Sequence, residues 1–469
     1  MIRNANIITE LIKLNFFKTL SGKMNEKVDI FHMSIYKGLW RLAWPIVLTN
    51  LLQTVYNLTD AYFLGKLGKV EFSAPTVTFP IIFIILSLAT GFSQAATSMI
   101  AQYIGMKNKG MAEKSAAQVI LTLLMISLIV TVLGMFFAAP VLKLINVPDE
   151  LFDKAYGYLR IMIFAIPVIF FGELFSSIFR GWGNSIVTLK VMFFTVGLNI
   201  ALDPIFIFVF GLGVEGAAYA TLISRSVTVV YFLYVLIGNK VGFTVHPKDF
   251  KPDFRMIRKI FAIGLPGSIG QSVTAVGFTF IMGVVTGFGA AVISIYGIGQ
   301  RVLSMVTMFA VGMSLATATM TGQFVGADKP EKAEETVRKS SVITFLIVLF
   351  ISILLFFFGQ YVTRFFINDQ EVIDLGYHFF RLVAFSLPFF ATMAIFQGAL
   401  RGTGHTTLAT TADMLRLWAV RVPLVIWLSN AFGFNGIFYA MIISNISAMI
   451  IAYCFLRIGN WKERVVEEY

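Results

Sequence analysis

The chain has 469 residues, of which 57% are hydrophobic and 13% charged. A soluble domain is about 25% charged, so this composition excludes one. The net charge of +12 is not a nucleic-acid footprint, because no soluble domain carries it as a basic face, and the single cysteine, Cys454, excludes an intrachain disulfide or a thiolate metal cluster.

Residues 1–34 carry Lys13, Lys18, Lys23 and Lys27 but no continuous apolar h-region, so no cleaved signal peptide is expected. They read as a flexible or surface-lying cytoplasmic lead, with an interfacial amphipathic helix as the alternative. A membrane span needs about 20 mostly apolar residues. Twelve such runs follow, at 39–64, 76–103, 117–139, 156–178, 190–210, 214–238, 257–284, 291–323, 341–358, 378–399, 408–429 and 434–456. The longest connection, 239–256, is polar and charged, holds Pro247 and Pro252, and falls near the middle. The expected fold is therefore an all-α polytopic membrane protein. It has an N-terminal lobe (35–238), a cytoplasmic linker (239–256), a C-terminal lobe (257–458) and a cytoplasmic tail (459–469).

Lysine and arginine mark the cytoplasmic side of a membrane. With the N-terminus inside, 26 of the 37 fall on inner segments and five on outer connections; the remaining six are arginines within spans or at their edges. Both termini are expected to be cytoplasmic, in a plasma (inner) membrane.

The halves repeat at a shift of 221 residues. Pro45 meets Pro266, and Gly91 meets Gly312. Gln102-Tyr-Ile-Gly105 meets Gln323-Phe-Val-Gly326, and Arg180-Gly-Trp-Gly183 meets Arg401-Gly-Thr-Gly404. Tyr156, Arg160 and Pro167 meet Tyr377, Arg381 and Pro388. Six spans per half is an even number, so the repeat is parallel. Transporters built from repeats place their sites within or between the repeats and rock one against the other.

The repeat does not extend to the acids. Asp60 falls opposite Ile281, Asp203 near Val422 and Asn199 near Trp418. An ionisable residue inside a span costs about 2.5–3.5 kcal/mol on insertion scales and is a functional-site hypothesis by default. In the first span Asn50, Gln53, Asn57 and Asp60 recur at steps of three and four on one helix face, with Tyr56 one turn before Asp60. In the fifth, Asn199 and Asp203 are one turn apart. Both aspartates fall in the outer half, and they meet if these two spans are neighbours. Pro204 cannot donate to the carbonyl of Ile200, so a kink and a freed acceptor are expected there. Two carboxylates, an amide, a hydroxyl and a carbonyl suit a hard cation such as Na⁺; the carboxylate pair can equally bind protons. The plainer reading has each aspartate only holding a broken helix.

Glu173 lies two turns before Arg180, so it either pairs there or contacts a cationic substrate. Arg301 has no local acidic partner and reads as structural, through a pairing across the cavity or helix-end carbonyls. Asp413 and Arg416 read as a local pair, and the four histidines share no ligand spacing. Gly211-Leu-Gly213-Val-Glu-Gly216 matches a dinucleotide fingerprint but joins two spans, so it reads as a tight turn. No phosphate loop, nucleophile elbow or metal cluster appears, so neither ATP use nor enzymatic activity is expected.

The paired R-G-x-G turns, the pattern L-x-x-x-Y-N-L-x-D from Leu52 to Asp60, and G-L-N-I-x-L-D-P-I-F-I-F in the fifth span resemble the multidrug and toxic compound extrusion (MATE) transporters. The likeness covers about residues 35–458. It implies a V-shaped exporter of two six-helix bundles. Such a carrier expels small organic, often cationic, amphipathic compounds in exchange for Na⁺ or H⁺, with no other cofactor. The family's N-lobe cation site maps onto Asp60, Asn199, Asp203 and Thr221. Tyr56 matches a cavity-lining tyrosine, and Gln53, Asn57 and Glu173 are expected to face the same cavity. Glu173 stands where the family pattern has an uncharged polar residue. A monomer in the lipid bilayer is expected. A lipid-linked saccharide flippase of the same superfamily is the alternative; those carriers usually line the cavity with more basic residues.

Overall fold

The computed structural model describes residues 27–367 and 369–467, so most of the lead lies outside the described residues. Its last residues are not loose: Ile30 is buried, the Val28 N–H donates to the carbonyl of Gly183 at 3.0 Å, and Phe31 meets Phe324 edge-on. Twelve spans follow. The N-terminal six are Ile35–Leu67, Lys69–Gly105, Lys109–Leu144, the pair Asp149–Phe164 and Ile166–Trp182, Ser185–Val209, and Gly213–Ile237. The C-terminal six are Phe254–Thr286, Ala290–Gly326, Pro330–Phe366, the pair Gln370–Ala384 and Leu387–Gly402, Thr406–Phe432, and Phe434–Ile458.

Sequence chemistry sets the ends and breaks of these helices. Asn108, Asp253 and Asp369 each accept a backbone N–H three residues on, at 3.1–3.2 Å, and start the third, seventh and tenth spans. The fourth and tenth spans bend by 50° and 45° next to Pro167 and Pro388, where a ladder hydrogen bond is missing. The kink expected at Pro204 takes another form. The fifth span runs through the proline and widens into a π-turn at Ile205–Val209, and the eleventh does the same at Leu415–Arg421. Gly183 and Gly404 end the R-G-x-G motifs in left-handed backbone (φ 93° and 86°), which is why glycine stands there twice.

Each lobe closes around its own apolar core. Phe175 and Phe179 both pack on Phe232 in the first; in the second, Phe380 and Phe438 meet Phe379 edge to face. The first span packs on the fifth, and the seventh on the eleventh. Across the lobes, the second span meets the seventh and the first meets the eighth.

The repeated motifs join the lobes at the membrane side that carries the linker. The Gln102 amide donates to the carbonyl of Thr403, and the Gln323 amide donates to the carbonyl of Gly181, at 3.1 and 3.0 Å. Each glutamine thus grips the opposite lobe's R-G-x-G turn. A Cβ on Gly105 would lie 2.1 Å from the Gln323 carbonyl oxygen, and one on Gly326 would lie 2.0 Å from that of Gln102. Backbone meets backbone there, so any side chain would force the lobes apart. The tail reinforces the seal: the Val465 N–H donates to Gln102 at 3.0 Å and Lys462 pairs with Glu334 at 2.6 Å. The linker is likewise fixed, with the Gln118 amide donating to the carbonyls of Asp249 and Lys251 and Lys114 pairing with Asp253 at 2.6 Å. Among the described residues, the polar contacts between the lobes run from mid-membrane, at Ser87–Ser272 and Thr54–Met308, to the linker side.

Candidate functional site

The packing of the first span on the fifth brings the two acids together. Asp60 and Asp203 lie within hydrogen-bonding reach of each other. Asn199 is one helical turn before Asp203 and donates to it from Nδ2 at 3.1 Å; its amide also reaches Asp60. Asn199 and Asp203 are wholly buried and Asp60 is half-buried. Three buried oxygens in this cluster have no hydrogen-bond partner: Asp60 Oδ1, Asn199 Oδ1 and Asp203 Oδ2. Two ionised carboxylates at this range repel, and a shared proton or a bound cation relieves that repulsion. An all-oxygen donor set, with three oxygens free to coordinate, fits a hard cation. The cluster sits in the membrane half away from the linker.

The sixth span supplies the next layer. The Tyr56 hydroxyl donates to Thr221 Oγ1 at 3.0 Å and lies 3.5 Å from Ser224 Oγ. Thr221 thus stands beside the acids through Tyr56. Arg225 lies over the Tyr56 ring at 5.0 Å and donates to Gln53 Oε1 at 2.8 Å; the Gln53 amide donates to Asn57 at 3.0 Å. The polar stripe of the first span therefore has a structural purpose at Gln53, which anchors a half-buried arginine whose charge reaches Asp60. Asn57 is exposed.

Glu173, expected at the cavity, falls outside the cluster, and so does Arg301, read from the sequence as structural. Glu173 pairs with Arg180 at 3.1 Å and is not among the groups touching the acids. Arg301 is exposed, on the same helix face as Met308, which meets Thr54 of the other lobe. Three groups were missed from the sequence. Tyr158, partly buried in the first half of the fourth span, is close enough to interact electrostatically with Asp60, Tyr56 and Asp203. Ser224 and Arg225 sit one turn beyond Thr221. An arginine in the apolar run Leu222–Phe232 was the available signal for the last two; Tyr158 left none.

The C-terminal lobe holds a different centre at the matching place. Its eleventh span carries Asp413, which pairs with Arg416 at 3.3 Å, as expected, and also with Arg401 at 3.0 Å. Arg421 is buried and bonded to Ser444 and Asn445 at 2.7 and 2.5 Å, both neutral. Among the described residues, no group of three or more His, Cys, Asp or Glu could hold a metal ion.

The chain is similar in sequence and fold to known transporters. The chain is 29% identical over 437 residues to the probable multidrug resistance protein YpnP of Bacillus subtilis, covering 92% of this chain and 97% of that one. It is 25% identical to the multidrug export protein MepA of Staphylococcus aureus, covering 92% and 96%. A solved MATE transporter in complex with MaL6 superposes with a TM-score of 0.88 at 25% identity, over 93% of this chain and 99% of that one. Another, described as an outward-facing multidrug resistance MATE transporter, gives 0.88 over 94% and 99%. The MatE family model matches twice, at residues 45–205 and 266–427, so its two copies start 221 residues apart as the internal repeat does, and the chain belongs to the MATE family.

Proposed function

We propose that this protein is a cation-coupled antiporter that exports small amphipathic organic compounds, often cationic, in exchange for Na⁺ or H⁺. The observation that carries this reading is the buried Asp60–Asp203 pair with three unpartnered oxygens. Its relatives' names, multidrug resistance and multidrug export proteins, support the export of such compounds. The surplus of lysine and arginine at the linker side supports a cytoplasmic linker and cytoplasmic termini in a plasma membrane. The acid pair then faces the outer half, where external cations arrive. Asp60, Asn199 and Asp203 hold the coupling ion, and Thr221 supports them through the Tyr56 hydroxyl. Gln53 and Asn57 face the substrate, with Tyr56 buried behind them. The protein acts as a monomeric carrier, not a catalyst.

Coupling follows from differential affinity. An ion that binds one arrangement of the first and fifth spans better than another shifts the population toward it. Pro45 gives the first span a place to bend, since its ring leaves a ladder hydrogen bond unmade. The inner seal at Gly105 and Gly326 must part for the cavity to open to the cytoplasm. Purified protein in vesicles, loaded with a cationic dye, tests this under separately imposed Na⁺ and pH gradients. Efflux driven by either gradient supports the antiport; efflux indifferent to both rules it out.

A further inference from the structure

The C-terminal lobe contains a cavity of about 190 Å³ lined by Arg416, Arg421, Gln300, Asn445, Phe278 and Phe390, among others. Both arginines are nearly inaccessible, at 3% and 4% exposure. Three arginines share one carboxylate here. Asp413 accepts from Arg401 and Arg416, whereas Arg421 has only hydroxyl and amide partners. Arg416 also leaves Nε and Nη1 buried without a hydrogen-bond partner. These two N–H groups lie on different edges of the guanidinium, since Nη2, which each edge shares, is bonded to Asp413; each can give an anion one charge-assisted hydrogen bond. A buried charge surplus of this kind needs an anion.

The rest of the lining sets the size and character of that anion. Phe278 and Phe390 flank the cavity with aliphatic neighbours, and Arg416 stacks over the Phe390 ring at 5.6 Å. A cavity of about 150 Å³ accepts a benzene ring, so this one has room for one ring and a carboxylate. We propose that the C-terminal lobe pocket binds single-ring aromatic carboxylates, with Arg416 gripping the carboxylate and Arg421 supplying the second positive charge. This deepens the carrier reading by adding aromatic acids to its substrates, and it rests on that reading only for their export.

The test is equilibrium binding of benzoate and of its neutral isostere benzamide to the purified full-length protein, by calorimetry without any ion gradient. Benzoate should bind at least about tenfold more tightly than benzamide, reflecting charge-assisted hydrogen bonds. Arg416→Gln and Arg421→Gln should each remove most of that preference while leaving benzamide binding as it was. Arg416→Lys keeps the charge but loses the planar guanidinium and its separate donors, and it should weaken benzoate several-fold; this controls for a glutamine variant that fails to fold. Equal binding of the two probes to the wild type overturns the proposal. So does a preference that survives all three substitutions, or a site that takes chloride and excludes benzoate. Dye efflux is measured separately, so failure here leaves the antiport reading standing, and the reverse also holds.

Discussion

The two lobes share a backbone and oppose each other in charge. Both place a π-turned span, the fifth or the eleventh, against the first span of their own lobe. In the N-terminal lobe that pair presents Asp60 and Asp203. In the C-terminal lobe the positions matching them hold Ile281 and a residue near Val422, and the buried charges there are Arg416 and Arg421. The repeat thus keeps the helical frame of the two lobes and differs in the charge each buries. The linker-side seal shows the other half of this lesson. Gln102 and Gln323 grip opposite R-G-x-G turns with nearly equal bonds, so here the repeat keeps its side chains as well as its frame.

The comparison can be broken at several points. Removing both acids, with Asp60→Asn and Asp203→Asn together, should reduce gradient-driven dye efflux to the background of empty vesicles, while the protein still inserts and elutes as a monodisperse species. The seal comes next. Gly326→Val forces a side chain against the Gln102 backbone, so the inner side cannot close, and efflux should fall several-fold. A cysteine placed near the seal should then react faster with a reagent added from the linker side. Asn199→Ala removes one free oxygen and the donor to Asp203. If Na⁺ is the coupling ion, half-maximal efflux should need about tenfold more Na⁺, with a smaller effect on any pH-driven efflux. Equal effects on both would assign the site to protons alone.

The smallest effect lies at the linker. The hydrogen bond from Lys114 holds the Asp253 carboxyl below its ordinary range. A lowered folded-state pKa contributes stability above the unfolded value, about 3.9, and that stability is lost as pH falls through the folded value. Asp253→Asn should therefore cost under about 1 kcal/mol at neutral pH, in keeping with a partly exposed pair that also caps the seventh span. Thermal unfolding in detergent should show the difference shrinking below pH 4.

Much of this was legible in the sequence, for physical reasons. Apolar runs of span length show the twelve helices because lipid tolerates little else. Only the first span escapes a pure hydropathy test; its 33 residues carry the stripe Asn50, Gln53, Asn57 and Asp60. The acids stood out because a carboxylate in hydrocarbon is rare, and their meeting followed once the first and fifth spans proved to be neighbours. What the sequence hid depends on tertiary partners. The repeats Gln102–Gly105 and Arg180–Gly183 were visible, but that each docks on the other motif across the lobes was not. Glu173 had two readings, a pairing with Arg180 or a contact for a cationic substrate, and only the fold shows the ion pair at 3.1 Å. Pro167 and Pro388 were matched without the breaks beside them being foreseen. The π-turns leave no periodic signal. Tyr158 is one aromatic among many until the fold aims it at the acids.

The central claim is that coupling resides in the N-terminal acid pair. It is tested most directly by gradient-driven dye efflux in vesicles containing Asp203→Asn, with insertion and thermal stability measured in the same preparation. The account predicts a stably inserted protein with no ion-driven efflux. Wild-type rates from that variant would contradict it.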